Sequence, residues 1–385
     1  MGVREKLDEY PGARMAELRR LKDEGAKIVG ITPGGYLPEE LVHACSAIPV
    51  GLLRGGDHEA VGVSGAYIPR FIDTFCRAQI GYRVSEDEPL YQMVDLVVSA
   101  LTDANHKAIA DCWDFYTDVD VFWFGVPQHK TEHGFKYYLE GLGLLREKLE
   151  EVTGNKITDE KLREAIDLYN RMRELLEEIS LMRKSQDPPI SGKDFVMLNH
   201  ISFNADKVAL IEMLESLLEE LKKKDAPSLE GPRVLMIGST LALGDYKILD
   251  LVEGAGGVVV MEEFAEGIRH SRERVKTNGD LMKALADRYF SRRVQPAWFR
   301  PAKERLDYLM GLAREYSVDG ILWYQLMYRD GYDIESQYFS EKLKKETNIP
   351  MLKIESDYDV SEKGPFRTRI ETFVETLKLK KLKRR

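Results

Sequence analysis

The stretch RVLMIGSTLALGDYKILDLVEGAGGVVVMEEF, residues 233–264, decides the fold. It opens on an apolar run, RVLMIGS (233–239), and passes through a loop carrying Gly238-Ser239-Thr240 and Gly244-Asp245. A helical segment follows, and a second apolar run, GVVVMEEF (257–264), closes it. Short aliphatic runs bounded by turn residues suit strands buried on both faces, and a helix between two of them is the crossover of a parallel sheet.

The same rhythm continues downstream through GILWYQLM (320–327) and PMLKIESD (350–357), ending in a helix at RTRIETFVETLK. Upstream it is matched by AKIVGIT (26–32), IPVGLL (48–53), VDLVVSA (94–100) and VFWFGVP (121–127). Between Glu140 and Lys224 the strand signal gives way to long charged segments with apolar residues at helical spacing. The break at Asp187-Pro188-Pro189, followed by the capping type Ser191, ends one helix and begins another. The expected architecture is α/β: two doubly wound, Rossmann-like parallel lobes, 1–139 and 229–385, joined by a helical insertion, 140–228. Facing lobes of this kind bring the carboxyl ends of both sheets around one cleft, where a substrate should sit.

A chain of 385 residues with 43% hydrophobic content can bury such cores. Its formal charge of −9 argues against a broad nucleic-acid surface. The basic run Lys378–Arg385 reads as a solvated, frayed terminus. No segment approaches the roughly 20 apolar residues of a membrane span, and MGVREKLDEY lacks the layout of a signal peptide, so a cytoplasmic protein without membrane contact is expected.

Candidate chemistry gathers at the strand ends. His129, beside Lys130 in the loop after 121–127, is the first acid/base candidate, against the alternative of an exposed loop histidine. His106 in TDANHK approaches the same edge, with Asp103 either orienting it or capping the next helix. Ser239 and Thr240 lie where backbone N–H groups can receive a phosphate or a thioester oxygen, without the spacing of a nucleotide-hydrolysing loop. Gly34 and Gly35 after the first strand offer the same, or only a tight turn. The four tryptophans, Trp113, Trp123, Trp298 and Trp323, are expected in cores. At the helix after the first strand, Pro38 suits the first turn and Glu39 and Glu40 suit the positive end of its dipole.

Read in order, Pro38-Glu39-Glu40-Leu41 to Ala47-Ile48-Pro49-Val50, Glu262-Glu263 to Gly267-Ile268-Arg269, Val318-Asp319-Gly320-Ile321 and Gly364-Pro365 to Arg367-Thr368-Arg369-Ile370-Glu371 resemble the signposts of one family. It is the 2-hydroxyacyl-CoA dehydratase and benzoyl-CoA reductase family, and the length resembles its smaller, D-component-type subunit. The resemblance implies a two-subunit, [4Fe–4S]-containing component that receives electrons from a separate ATP-hydrolysing iron–sulfur activator. It also implies radical chemistry on an acyl-CoA or aroyl-CoA thioester, either loss of water or ring reduction, in anaerobic metabolism.

The resemblance also fixes where cluster cysteines should fall. Cys76 occupies the first such position and is the candidate metal ligand. The remaining positions hold Thr102, Ala297 and Arg329. Arg329 there could bind a carboxylate, a phosphate or a thioester oxygen, or form an ordinary salt bridge. Cys45 and Cys112, far from one another and from Cys76, read as buried thiols. The preferred expectation is a heterodimer whose related partner bears the cluster. The alternatives are a self-sufficient homodimer using Cys76 with non-cysteine ligands, and a non-catalytic module that binds a small molecule or another protein.

Overall fold

A computed structural model describes residues 3–223 and 229–384, so the end of the insertion at 224–228 and Arg385 lie outside the described residues. The eight expected strands form as β1 (Ile28–Ile31), β2 (Ile48–Gly51), β3 (Leu96–Leu101), β4 (Asp120–Gly125), β5 (Arg233–Gly238), β6 (Val258–Glu263), β7 (Gly320–Leu326) and β8 (Met351–Ser356). They make two four-stranded parallel sheets of the same topology, β2-β1-β3-β4 and β6-β5-β7-β8. The central strands are sealed on both faces, with Val97, Val234, Leu235 and Met236 fully buried. That is why they read as unbroken apolar runs rather than alternating ones.

In each sheet the chain winds outward from the first strand to the second, then crosses back to the third. The order therefore reverses between β1 and β3, and again between β5 and β7, and ligands of open α/β sheets bind beyond the carboxyl ends at such points. The two sets of strand ends are joined directly. Leu243 N–H donates to the Leu53 carbonyl at 2.8 Å and Gly55 N–H to the Leu243 carbonyl at 3.0 Å. Further along, Arg300 N–H donates to the Gln128 carbonyl at 2.8 Å.

Between β4 and β5 lie the helices Glu132–Thr153, Asp159–Met182, Gly192–Asn204 and Lys207–Lys222, the first of which begins before the expected boundary at 140 and runs across it. The oxygens of Thr131, Thr158, Ser191 and Asp206 each accept from an N–H of the first turn, the contact that locally fixes where a helix starts, worth about 1 kcal/mol apiece. Helix Gly192–Asn204 packs on β2 of one lobe and β6 of the other. His200 on this helix bridges the Tyr246 hydroxyl and the Leu241 carbonyl, each at 2.9 Å.

Three expectations change. Pro38 stands just before the short helix Glu39–Ala44 rather than in its first turn; Glu39 and Glu40 do lie in that turn, and both are buried and bound to side chains of other elements. Trp113 and Trp323 do fill cores, whereas Trp123 on edge strand β4 and Trp298 are 37% and 48% exposed. The basic carboxyl terminus is helical through Arg384, with Leu377 buried on its inner side; Lys378 and Lys381 donate to the carbonyls of Ala255 and Gly231. Among the described residues no helix is long and apolar enough to cross a membrane.

Candidate active site

Two helix starts of the first lobe and one strand end of the second meet in the cleft. Asp73 precedes helix Thr74–Ser85, and its Oδ1 accepts from Cys76 N–H at 2.9 Å. Asp103, directly beyond β3, precedes helix Ala104–Tyr116, and its Oδ1 accepts from His106 N–H at 3.0 Å. An N-cap aspartate uses one oxygen on its helix and leaves the other free. Both free oxygens turn to the same cation: Arg329, beyond β7, places Nη1 3.1 Å from Asp73 Oδ2 and 3.2 Å from Asp103 Oδ2.

This guanidinium is 6% exposed. Burial alone would lower its affinity for a proton, yet Asp103 and Asp73 raise it above the ordinary arginine value. Burial would likewise raise the Asp103 carboxyl, and Arg329 with His106 outweighs it, holding Asp103 well below the carboxylate range. His106 Nδ1 lies 3.2 Å from Asp103 Oδ1 and 3.4 Å from Arg329 Nη1, which leaves Nε2 outside these contacts. Asn105 ties the assembly together, accepting from Asp73 N–H at 3.0 Å and donating to the Tyr328 carbonyl at 3.1 Å. Tyr328 holds φ +66°, an uncommon left-handed backbone that sets the angle at which Arg329 enters.

Cys76 completes the cluster of side chains. Its Sγ lies 3.3 Å from Asp73 Oδ2, and burial followed by the Asp73 charge pushes its thiol well above the usual range. Cys45 instead donates to the Val42 carbonyl at 3.1 Å, and Cys112 lies within helix Ala104–Tyr116. A [4Fe–4S] cluster needs several thiolates. Here one protonated thiol faces a fixed positive charge, and among the described residues no group of three or more His, Cys, Asp or Glu is placed to hold a metal ion. The residues present do not fit the cluster.

Of the residues singled out in the sequence, His106, Asp103, Arg329 and Cys76 come together. His129 does not join them. It is exposed, forms a backbone bridge with Arg300, and lines an open depression with Pro127, His133 and Tyr137. Ser239 and Thr240 are buried, and the Ser239 and Leu241 amides already donate to the Tyr324 carbonyl and to Glu266. The carbonyls of Gly34 and Gly35 are held by Arg293, and Gly35 has φ +68° with no room for a Cβ, which would fall 2.5 Å from Arg293 Nη1. Sequence reasoning misses Asp73 and Asn105. The Asp73-Thr74-Phe75-Cys76 order is a capping signal, but it does not reveal what the second carboxylate oxygen meets.

Behind the site the acidic signposts are internal ion pairs. Glu40 accepts from Arg173 at 2.7 Å and from the Tyr289 hydroxyl at 2.6 Å. Glu263 binds Arg269 at 2.6 and 2.8 Å and Arg305 at 2.7 Å, while Glu262 meets Arg183 at 2.6 Å. Such buried charges specify one arrangement of the lobes only while every partner is present.

Fold and site together define a two-lobed, doubly wound α/β protein whose candidate chemistry lies between facing switch points. The sequence profile described as 2-hydroxyglutaryl-CoA dehydratase, D-component, matches residues 35–377, and the chain belongs to this family. YjiM of Escherichia coli, named as a dehydratase subunit, is 28% identical over 379 residues, covering 96% of this chain and 97% of its own. The (R)-phenyllactyl-CoA dehydratase beta subunit of Clostridium sporogenes is 27% identical, covering 94% of each chain. One of the benzoyl-CoA reductase subunits of Thauera aromatica is 25% identical, covering 93% of this chain and 92% of its own. Relatives of this chain are thus named as subunits of CoA-thioester dehydratases and reductases.

Proposed function

We propose that this chain is one subunit of an enzyme that dehydrates a 2-hydroxyacyl-CoA or reduces a benzoyl-CoA-type ring. In this reading it pairs with a related subunit that carries the [4Fe–4S] cluster, and a separate ATP-hydrolysing iron–sulfur activator supplies the electrons. The observation that supports it is Arg329, which stands at a family cysteine position and binds Asp73 and Asp103 beside the lone thiol of Cys76. This chain then forms one wall of the cleft, where Arg329 holds Asp73 and Asp103 in place and His106 beside them is the group that exchanges a proton.

The test is to purify the chain without oxygen, alone and co-expressed with a related family member, and to measure iron and acid-labile sulfide per chain. The expected result is iron in the pair only, with turnover of acyl-CoA or aroyl-CoA by that pair. Stoichiometric iron in the lone chain would overturn the division of labour and favour the homodimer. Iron in neither preparation, with no turnover, would leave a non-catalytic binding module.

A further inference from the structure

Apart from the Arg329 site, a cavity of about 280 Å³ lies where the first-strand loop of one lobe meets β6 of the other, and arginines dominate its lining. Two of them are neutralised. Arg269 is paired with Glu263, which it shares with Arg305, and Arg292 is paired with Glu273 and Asp287, both at 2.7 Å. Those pairs use the carboxylates that line the cavity.

Arg272, Arg288 and Arg293 have no carboxylate within 4 Å among the described residues. Arg288 donates only to the carbonyls of His270, Arg272 and Glu273. Arg293 donates only to the carbonyls of Gly34 and Gly35 and lies over the Tyr36 ring. Arg272 donates to the Tyr308 hydroxyl at 2.9 Å. Carbonyls and a phenol orient these side chains without cancelling their charge. Arg288 and Arg293 are 2% and 5% exposed, and Arg288 Nη1 and Arg293 Nε are buried without a partner. Burial and the nearby Arg173 pull the Arg288 guanidinium down to about 10, with Tyr289 and Glu40 pulling the other way.

Isolated buried charge is costly, and three planar donors around one space match the oxygens of a tetrahedral anion. We propose that this cavity is a binding site for a phosphate group, held by Arg272, Arg288 and Arg293. The source is either free phosphate or the phosphate monoester of a larger molecule such as a CoA thioester. The site does not depend on the subunit assignment made above, because it requires only these side chains.

The experiment is calorimetric titration of the full chain, at constant ionic strength, with inorganic phosphate, CoA and dephospho-CoA, repeated on Arg272→Gln and Arg293→Lys. Binding of phosphate or CoA that weakens at least tenfold in Arg272→Gln supports the site, and that variant keeps Arg288 and Arg293 in place. CoA binding lost in dephospho-CoA assigns the 3′-phosphate, whereas phosphate binding without CoA binding assigns free phosphate. The proposal is overturned if no probe binds the wild-type chain, or if binding is unchanged in a folded Arg272→Gln. Neither result bears on iron content, so it can fail while the subunit assignment stands.

Discussion

Arg329 Nη1 lies 3.1 Å from Asp73 Oδ2, joining residues 256 positions apart and on different lobes. The same nitrogen reaches Asp103, so one guanidinium balances two helix-capping carboxylates in the cleft. This junction stands where the family resemblance calls for cluster cysteines, and it carries the first prediction.

Arg329→Met removes the cation and leaves Asp73 and Asp103 facing each other with reduced solvent. Breaking a buried pair from one side costs about 3–5 kcal/mol, read as a lower urea midpoint. Adding Asp73→Asn to Arg329→Met should restore part of the loss, because the uncompensated charge is removed with its partner. A loss below about 1 kcal/mol in the single variant would instead place the pair in the class of screened surface bridges.

Acid should loosen the joint around Glu263. Burial would raise this carboxyl, but Arg269 and Arg305 outweigh it and hold it at about 2, below its ordinary value of 4.5. A carboxyl depressed in the folded state gives stability that is full above the unfolded value and fades as pH falls from there to the folded one. Glu263→Gln should therefore be less stable than wild type at pH 7, with the gap narrowing between about pH 4.5 and 2. Parallel urea curves for the two proteins across that window would contradict the pairing.

His200 should remain neutral through physiological pH. Burial pushes its imidazole down to about 4, with the Leu241 carbonyl pulling the other way. Because the unfolded chain takes up this proton near 6.5, the stability tied to neutral His200 is complete above that pH and is lost progressively towards about 4. Ring-nitrogen NMR should show no titration of His200 above pH 5. A midpoint near 6.5 would mean that the contact between helix Gly192–Asn204 and the Leu241 loop is open to solvent.

All three cysteines are buried, and their thiols are raised, Cys112 to about 11 by burial and Asp111. A thiol disulfide reagent at pH 8 should find almost none in the folded protein and three after denaturation. Rapid modification of Cys76 in the native chain would show a thiolate exposed in the cleft and would reopen its candidacy as a ligand.

The strands were legible because their signal is local: an apolar run of the right length, closed by turn residues, reads the same wherever it is placed. Capping at Ser191 and Asp103 was legible for the same reason, since an N-cap binds N–H groups two or three residues on. Glu39 and Glu40 were legible as first-turn residues but not as members of ion pairs, because their partners Arg173 and Lys207 come from helices more than a hundred residues later. Trp123 misled because edge strands expose a face that composition does not reveal.

The sequence by itself determined the alternation of strands and helices, the two matching lobes, the absence of paired cysteines and the family resemblance. Each follows from neighbouring residues or from ordered motifs. Only the tertiary structure decided that Arg329 rather than a second thiol faces Cys76, that His106 joins this group while His129 stays outside, and that three uncompensated arginines share a cavity. Charges act through space over a few ångströms, so their balance belongs to the folded arrangement of distant segments and is not written in any one of them.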